Sequence, residues 1–283
     1  MTILDGKKHS EEILNDIKIQ VEELEKIGKR KPGLAVIIVG ENPASKIYVN
    51  SKVKACEKVG IYSEKITLPE NITQEEILKE IDKLNNSEKI DGILVQLPLP
   101  KHLDEEKICN AISTEKDVDG FKAENLGKLV LGKEEGLVPC TPQGIMYLLD
   151  TIKDINLYGM NAVVIGRSNI VGKPIASFLI NRGATTVVCN SKTKNIEEII
   201  KEADIIIAAL GKAKFVTENM VKEGVIVIDV GINRIDGKLY GDVDFENVSK
   251  KSSYITPVPG GVGPMTIAML LNNTIKAYKG KGV

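Results

Sequence analysis

Short runs of apolar, mostly β-branched residues alternate with helical patterns along this chain, and this alternation constrains its fold more than any other feature. The runs lie at residues 34–39, 92–96, 162–165, 185–188, 205–208 and 225–228. Strands that are apolar on both faces are typical of parallel sheets covered by helices. The alternation therefore predicts an α/β fold built on buried parallel strands.

The helical patterns between the runs are equally regular. One has apolar residues at spacings of four, four and three, namely Ile13, Ile17, Val21 and Leu24. Such spacing places them on one face of a helix. Another begins with Thr73 and has Glu76 three residues later, which is a capping box, with Ile72 and Ile77 in the positions of a hydrophobic staple.

Composition excludes several classes of protein. The chain has 283 residues, enough for two compact domains, and 42% of them are hydrophobic, so a sizeable core can form. Charged residues make up 27% and the net charge is −1, which is not typical of a disordered chain or a general nucleic-acid binder. Apolar stretches such as 205–210 are far shorter than the ~20 residues of a membrane-spanning helix. We therefore expect no nucleic-acid partner and no membrane segment.

Cysteine and histidine usage indicates a reduced, metal-free protein. The four cysteines, at positions 56, 109, 140 and 189, form no close pair, and only two histidines are present. Neither a zinc spacing nor a disulfide framework fits this pattern. Since residues 1–10 also lack an apolar signal core, we expect a cytoplasmic protein without a metal.

A glycine-containing loop follows the apolar run at 162–165. Its sequence is Gly166-Arg-Ser-Asn-Ile-Val-Gly172, whereas the usual dinucleotide fingerprint is G-x-G-x-x-G, so the last glycine comes one residue late. Small residues in such a loop let the backbone approach a pyrophosphate, which the next helix receives at its N-terminus. A predicted strand before the loop and a helix after it favour nucleotide binding, although a simple turn can have the same glycines.

The residues after the next run predict which nucleotide binds. An NAD site has an acidic residue about 20 positions after the glycine loop, and this chain has Asn190-Ser-Lys-Thr193 in that region instead. These polar side chains, with Arg167 on the loop, suit the 2′-phosphate of NADP. The alternative is that Ser191 and Thr193 only cap the following helix.

Tyr48 and Lys52 are four residues apart in a predicted helix, so both project from one face, with Ser45 one turn earlier. Residues on an exposed helix face can have this spacing by chance. Short-chain dehydrogenases carry the same Tyr-x-x-x-Lys pattern, but there it follows the glycine loop, whereas Tyr48 precedes Gly166 by more than a hundred residues. The order indicates a substrate site in the first half of the chain and a cofactor site in the second.

Further motifs occur in a fixed order around these residues. They are Val95-Gln-Leu-Pro-Leu-Pro100, Lys116-Asp-Val-Asp-Gly120, the loop 166–172 and Pro259-Gly-Gly-Val-Gly-Pro-Met-Thr266. With Tyr48 and Lys52, they make nearly the whole chain resemble the bifunctional methylenetetrahydrofolate dehydrogenase/methenyltetrahydrofolate cyclohydrolase family. Two departures are Asn85-Asn-Ser87, where the family often has Asn-x-Asp, and Asn190, where it often has histidine before the serine.

The resemblance implies two joined α/β domains and a homodimer. An N-terminal domain at 1–139 would carry the folate site, and a Rossmann-like domain at 140–264 would bind NADP. Pro139 and Pro142 mark the boundary, with a helix beginning near Pro142. The last helix, within 265–283, resembles the family element that packs back onto the first domain. The active site is expected in the cleft between the domains, a common place for pockets.

The implied activity is the oxidation of 5,10-methylenetetrahydrofolate to 5,10-methenyltetrahydrofolate with NADP, followed by hydrolysis to 10-formyltetrahydrofolate. The substrates would thus be tetrahydrofolate derivatives. Two alternatives are a dehydrogenase without cyclohydrolase activity and a catalytically silent NADP-binding regulator. The presence of Lys52, Gln96 and Asp119 argues against the first, and that of Lys52 and the loop 259–261 argues against the second.

The resemblance assigns catalytic roles to four residues. The methenyl product is cationic and would repel a protonated lysine, so Lys52 is expected to be neutral and to act as the general base for water attack. Gln96 would orient the Lys52 amine without adding charge. Tyr48 would offer its ring and hydroxyl to the folate, and Asp119 would accept N–H bonds from the pterin. The alternatives are a glutamine satisfied by backbone, a packing tyrosine and an aspartate that caps a turn.

Other residues are assigned to binding alone. For the folate they are Leu97, Pro98, Pro259, Gly260 and Gly261, and for the cofactor Gly166, Arg167, Ser168, Ser191 and Ile232. Ile232 follows a strand end, where such folds place ligands, but an ordinary core residue would fit there too. The glycines of 259–261 would equally suit a turn without a ligand.

Overall fold

Two compact units make up the protein. The structure is a computed structural model, and it describes residues 1–133 and 135–280, apart from the side chain of Ala44. The first unit comprises residues 11–128, 135–140 and 267–280, and the second comprises 1–10, 129–133 and 141–266. Because the units interleave along the chain, the division at 139–140 stays a prediction.

Helices and strands alternate through most of the chain. The helices are α1 (Gly6–Lys26), α2 (Pro43–Val59), α3 (Gln74–Asn85), α4 (Glu105–Asn110), α5 (Ala123–Val130), α6 (Cys140–Asp150), α7 (Gly172–Asn181), α8 (Ile196–Lys201), α9 (Phe245–Val248) and α10 (Val262–Gly280). The strands are β1 (Thr2–Ile3), β2 (Gly33–Val39), β3 (Tyr62–Leu68), β4 (Gly92–Val95), β5 (Asn161–Ile165), β6 (Thr185–Cys189), β7 (Ile205–Ala208), β8 (Ile226–Asp229), β9 (Asn233–Ile235), β10 (Lys238–Tyr240) and β11 (Tyr254–Ile255). The predicted α/β fold is confirmed.

The first unit has a three-stranded parallel sheet in the order β3-β2-β4. All seven residues of the central strand β2 are buried, as its apolar sequence predicts. Helix α3 contributes Ile77 and Ile81 to a core that also contains Ile37 and Ile93. The predicted capping box begins this helix, because Thr73 Oγ1 accepts a hydrogen bond from the backbone N–H of Glu76 and the Glu76 carboxylate accepts one from that of Thr73.

The second unit has a six-stranded parallel sheet in the order β1-β11-β8-β7-β5-β6. Strands β7 and β8 are buried along their whole length. Burial on both faces was a wrong prediction for β6, in which Thr185, Val187 and Val188 are exposed. The strand lies at the edge of the sheet, so it has a strand neighbour on one side only. Sequence patterns also missed β1, which pairs with β11.

An ion pair with a buried carboxylate fixes the ends of two strands in the first unit. Both guanidinium nitrogens of Arg30 donate to the Asp91 carboxylate at 2.7 Å, and Asp91 also accepts the backbone N–H of Gly33 at 2.8 Å. The Asp91 side chain has no exposed surface. The Arg30 guanidinium also lies over the ring of Tyr278 in α10, 4.8 Å from its centroid. Asp91 thus joins the beginnings of β2 and β4 to Arg30.

Asp91→Asn should lower the free energy of unfolding by about 1.5–3 kcal/mol, because the fully buried Asp91 position loses its charge-assisted hydrogen bonds to the guanidinium of Arg30. The matched control is Asp150→Asn, which breaks a similar bidentate pair with Arg182, in which both side chains are nearly half exposed. An exposed pair contributes only ~0.2–1 kcal/mol. Urea unfolding measures both losses, and equal losses would contradict the importance of burial.

Two buried aspartates brace the carboxyl ends of β7 and β8. The Asp229 carboxylate accepts backbone N–H groups from Gly231, Asp242 and Val243 at 2.8–3.0 Å. The Asp242 carboxylate accepts the backbone N–H groups of Leu210 at 2.7 Å and Gly211 at 2.8 Å. It also accepts a side-chain N–H of Asn233 at 2.8 Å.

Space around this brace is tight. A Cβ on Gly231 would collide with the Asp242 carboxylate, and a Cβ on Gly241 would collide with that of Asp229. Burial raises the pKa of Asp229 to about 6, and the nearby Asp242 adds to the rise, against the opposing effect of the backbone hydrogen bonds. The brace holds the loops after β7 and β8 in one arrangement.

The raised pKa of Asp229 gives stability a defined dependence on pH. Between pH ~4 and pH ~6 the native state keeps a proton that the unfolded chain, titrating near ~3.9, has released. This group's contribution to the free energy of unfolding is therefore fully present below that window and falls as the pH rises through it. Measured by urea unfolding, the stability of the wild type relative to Asp229→Asn should therefore fall as the pH rises through the window. Parallel curves would contradict the raised pKa.

Candidate functional site

Lys52 and Gln96 meet in the first unit. Lys52 lies on α2, and Gln96 directly follows β4, where its backbone N–H still donates to Ile37 at 2.8 Å. The Lys52 Nζ donates to the Gln96 Oε1 at 3.0 Å, and the Gln96 Nε2 donates to the carbonyl of Leu97 at 2.7 Å. These bonds orient the amide with its oxygen towards the amine. Gln96 is therefore not satisfied by backbone alone, and it holds Lys52 without adding a charge.

Tyr48 lies one helical turn before Lys52 on α2. Its side chain is 48% exposed, so it is not a packed core residue. Ser45, another turn earlier, is buried, and its backbone N–H donates to the Asn42 Oδ1 at 3.1 Å in the first turn of the helix. The Tyr48 ring thus remains open to a ligand on the same helix face as the amine.

The two aspartates of Lys116-Asp-Val-Asp-Gly120 differ in what they do. The Asp117 carboxylate is buried and accepts N–H groups from Phe121 at 3.3 Å, Lys122 at 2.9 Å and the Asn125 side chain at 2.9 Å. Burial raises the pKa of Asp117 to about 6, although these hydrogen bonds oppose the rise. Asp117 therefore fills the turn-capping role that was the alternative for Asp119.

Asp119 lies within electrostatic reach of Lys52. Burial raises the pKa of Asp119, and the charge of Lys52 opposes the rise, so the two side chains are close enough to interact. A carboxylate in this position can accept two N–H groups from one edge of a ligand.

A buried lysine fixes the turn that leads to Asp119. The Lys116 Nζ donates to the carbonyls of Leu84, Asn85 and Ser87 at 2.7–2.9 Å. Its side chain is buried. The Asn85-Asn-Ser87 segment, a departure from the family pattern, thus provides two of the three acceptors. Lys116 is a structural residue that sequence reasoning did not separate from the rest of the motif.

The leucine and proline after Gln96 complete this part of the site. Leu97 is half-buried, Pro98 is exposed, and the peptide bond between them is cis. The backbone N–H of Leu99 donates to the Glu105 carboxylate at 2.8 Å. Leu97 and Pro98 therefore present a short apolar surface in a turn whose far end is anchored.

The glycine loop of the second unit is compact. A Cβ on Gly166 would collide with the carbonyl oxygen of Ala209, and one on Gly172 would collide with that of Gly166. The Ser168 Oγ accepts backbone N–H groups from Val171 at 3.2 Å and Gly172 at 3.3 Å, at the beginning of α7. The late glycine is therefore the one that lets the helix begin directly against the loop.

The polar residues after β6 form a turn of their own. The Thr193 Oγ1 accepts the backbone N–H of Asn190 at 2.8 Å, and the Asn190 Oδ1 accepts that of Lys192 at 3.0 Å. Helix α8 has Asn195 at its N-cap, without a side-chain hydrogen bond. The alternative that Ser191 and Thr193 only cap this helix is therefore wrong. Ser191 is exposed beside the turn.

A cavity of about 620 Å³ lies along these loops. Its lining residues are Ile165, Gly166, Arg167, Ser168, Asn190, Ser191, Thr193, Ile196, Ala209, Leu210, Lys212 and Phe215. The Lys212 Nζ, which sequence reasoning missed, lies 5.2 Å from the ring centroid of Phe215. Closely packed glycines, hydroxyls and cationic side chains fit a phosphorylated dinucleotide. The lining of this cavity therefore fits the group that the sequence predicted.

Ile232 and the loop 259–261 follow other strands of the same sheet. Ile232 is 54% exposed, so the alternative of a core residue is wrong for it. Pro259 is exposed, with a cis bond before it. The carbonyl of Gly260, whose φ is +105°, accepts the backbone N–H of Lys7 at 2.9 Å. A Cβ on Gly6 would collide with the Gly261 carbonyl, so residues near the start of the chain brace this loop.

Comparisons with known proteins cover both units. The family model described as "Tetrahydrofolate dehydrogenase/cyclohydrolase, catalytic domain" matches residues 4–119, and the one described as "Tetrahydrofolate dehydrogenase/cyclohydrolase, NAD(P)-binding domain" matches residues 139–282. The bifunctional protein FolD of Sulfurihydrogenibium sp. (strain YO3AOP1) is 55% identical over 282 residues, which cover 99% of each chain.

Solved structures agree with these matches. The bifunctional FolD methylenetetrahydrofolate dehydrogenase/cyclohydrolase of Campylobacter jejuni has a TM-score of 0.97 at 55% identity, with 99% of both chains covered. The Trypanosoma brucei enzyme, solved with NADP cofactor and an inhibitor, has a TM-score of 0.94 at 37% identity and covers 99% of this chain and 98% of its own. The resemblance seen in the motifs is confirmed, and the chain belongs to the tetrahydrofolate dehydrogenase/cyclohydrolase family.

Proposed function

We propose that the Lys52–Gln96–Asp119 cluster carries out the folate chemistry of a bifunctional, NADP-dependent enzyme. The first reaction removes a hydride from 5,10-methylenetetrahydrofolate and gives the cationic 5,10-methenyl compound. The second adds water to that carbon, releases a proton and opens the ring to 10-formyltetrahydrofolate. The observation that carries the proposal is the 3.0 Å hydrogen bond between the Lys52 amine and the Gln96 amide oxygen, with Asp119 within electrostatic reach of that amine.

Lys52 acts as the general base for water attack. Its amine donates one N–H to Gln96, which leaves the lone pair of the neutral form free to take a proton from water. Gln96 is itself fixed by the carbonyl of Leu97, so the amine is held in one orientation. A neutral amide is suited to this role because a cationic side chain in place of Gln96 would oppose formation of the cationic methenyl product.

Folate binding falls to the residues around the amine. The half-exposed ring of Tyr48 offers a flat face to the pterin, and Leu97 and Pro98 add apolar surface. The Asp119 carboxylate accepts N–H groups from the amino-pyrimidine edge. The exposed Pro259 and the glycines Gly260 and Gly261 let backbone approach the substrate.

NADP supplies the hydride acceptor, and residues of the second unit hold it. Gly166 and Ser168 belong to the compact loop that precedes α7, and the positive end of that helix dipole favours phosphate. Arg167 and Ser191 line the same cavity and provide a guanidinium and a hydroxyl for the 2′-phosphate. Ile232, exposed after β8, would pack near the nicotinamide.

The active protein is a homodimer in the cytoplasm. Strand β6 supports the dimer, because it is an edge strand that exposes Thr185, Val187 and Val188, and a second copy can cover such an edge. The mass of the protein in solution, measured by light scattering, distinguishes one copy from two. Within residues 1–133 and 135–280, no helix is both long and apolar enough to cross a membrane.

Arg167→Ala should weaken binding of NADP by ~1.5–3 kcal/mol, the contribution of a charge-assisted hydrogen bond to the 2′-phosphate. Binding of NAD should change little, because NAD lacks that phosphate. Calorimetric titration with each cofactor measures both affinities. Lys194→Ala, which removes an exposed cation from the β6–α8 loop, is the control. Equal losses for NADP and NAD would contradict the assignment.

Lys52→Met should lower cyclohydrolase activity by ~10²–10⁴-fold, the usual contribution of a positioned base. Dehydrogenase activity should fall less, so methenyltetrahydrofolate should accumulate and be visible by its absorbance. Lys52→Arg should also lose cyclohydrolase, because a guanidinium stays charged and does not accept the proton.

The control for these variants is Lys54→Met, which removes an exposed lysine from the same helix. It should leave both activities near those of the wild type. Cyclohydrolase activity near wild type in either Lys52 variant would show that another group activates the water. Loss of both activities to the same degree would instead indicate a role of Lys52 in folate binding alone.

A further inference from the structure

The backbone beside Asp119 is held by a side chain that lies far away in the sequence. Asn273, on α10, donates through its Nδ2 to the carbonyl of Val118 at 2.8 Å and to that of Val138 at 2.9 Å. Its side chain is completely buried. One amide group therefore uses both of its hydrogens to join the segment that carries Asp119 to a second segment of the chain.

Two further contacts hold the same pair of segments together. The Cys140 Sγ donates to the carbonyl of Val118 at 3.3 Å and lies 3.6 Å from the Asn273 Nδ2. Burial raises the pKa of Cys140 well above its usual value, so the thiol keeps the hydrogen that it donates. On the other side of Asp119, a Cβ on Gly120 would collide with the carbonyl carbon of Val138. Asp119 thus lies between two fixed backbone positions.

The amide oxygen of Asn273 indicates that this residue does more than stabilise the fold. Its Oδ1 is buried and has no hydrogen-bond partner among the residues that the structure describes. A buried acceptor without a partner is unfavourable and is rare in native proteins. The amide instead fixes the distance between the carbonyl groups of Val118 and Val138, because its two N–H donors lie in one rigid plane.

We propose that Asn273 is a positioning residue for Asp119, acting through the carbonyls of Val118 and Val138. The inference rests on the folate-binding role proposed above for Asp119. Without the Nδ2 donors, only the Cys140 thiol contact and the packing at Gly120 join the segment 118–120 to 138–140. The segment can then shift, and the carboxylate moves away from the pterin edge. Such a shift weakens binding of the folate. Binding of NADP should not change, because every residue that lines the cofactor cavity belongs to the second unit.

The variants that test this are Asn273→Leu, which removes both donors at similar size, and Asn273→Ser, which keeps one donor and disturbs packing less. Thr274→Val is the matched control. Thr274 is an equally buried polar residue of α10, but its hydroxyl donates to the carbonyl of Leu270 within the same helix. KM for methylenetetrahydrofolate, KM for NADP and kcat are measured for each variant, with thermal unfolding as a check on folding.

Asn273→Leu should raise the folate KM on the order of tenfold, since displacements near 1 Å at a reacting site have effects up to ~10²-fold. Asn273→Ser should have a smaller effect in the same direction. The KM for NADP should stay within about twofold for both variants, and Thr274→Val should resemble the wild type. Equal increases in both KM values would overturn the proposal, as would no change in either.

A double-mutant cycle with Asp119→Asn separates this inference from the proposed function. Asp119→Asn alone should raise the folate KM while leaving that for NADP unchanged. In its background, Asn273→Leu should add less than about twofold, because the two residues act through one contact. If Asp119→Asn raises the folate KM and Asn273→Leu raises it further by the same factor as in the wild type, the positioning role of Asn273 is wrong and the role of Asp119 stands. If Asp119→Asn changes nothing, the role of Asp119 fails and the inference with it.

Discussion

Hydrogen bonds between buried charged side chains and the backbone hold much of this protein's candidate site in place. Lys116 binds three carbonyl groups, Asp117 binds two backbone N–H groups and a side-chain amide, and Asp229 binds three backbone N–H groups. A charged group that is buried without partners is strongly unfavourable, so each of these side chains accepts only a narrow range of backbone arrangements. The loops near the proposed ligands are therefore fixed by electrostatics as well as by packing.

This constraint divides the charged residues into two kinds. Those with a full set of protein partners, such as Asp117 and Asp242, have little capacity left for a ligand. Lys52 and Asp119 differ, because the Lys52 amine binds a neutral amide and the Asp119 carboxylate lies within electrostatic reach of that amine. An amine and a carboxylate close together retain acceptor and donor capacity that substrate can use. The same principle explains how adjacent aspartates in one short motif come to have different roles.

Much of the fold could be predicted from the sequence, because apolar runs and capping residues act locally. The buried strand β2 and the beginning of α3 at Thr73 follow from such patterns. Strand β3 was missed because its polar residues leave it only partly buried, so that it lacks a continuous apolar run. Exposure of β6 was missed because position at a sheet edge depends on the order of strands, which no local pattern contains.

The candidate site could be predicted only as far as its motifs reach. Lys52 and Gln96 were found through their motifs, and the structure brings them together. The motif that contains Asp117 and Asp119 does not indicate which of the two carboxylates accepts hydrogen bonds from the backbone. Asn273 and Val118 are 155 residues apart, and a buried asparagine in an apolar helix gives no signal of its partner. Such long-range contacts are set by tertiary packing, which the sequence specifies only collectively.

The pairing of β1 with β11 has a consequence for how the protein is made. Thr2 pairs with Tyr254, so the ribosome adds about 250 residues between the two partners. At roughly 5–20 residues per second, this interval is on the order of ten to fifty seconds. During that time the first strand has no neighbour, and the loop 259–261, which Lys7 later holds through Gly260, does not yet exist. The second unit thus completes its sheet late, when nearly all of its residues have been added to the chain.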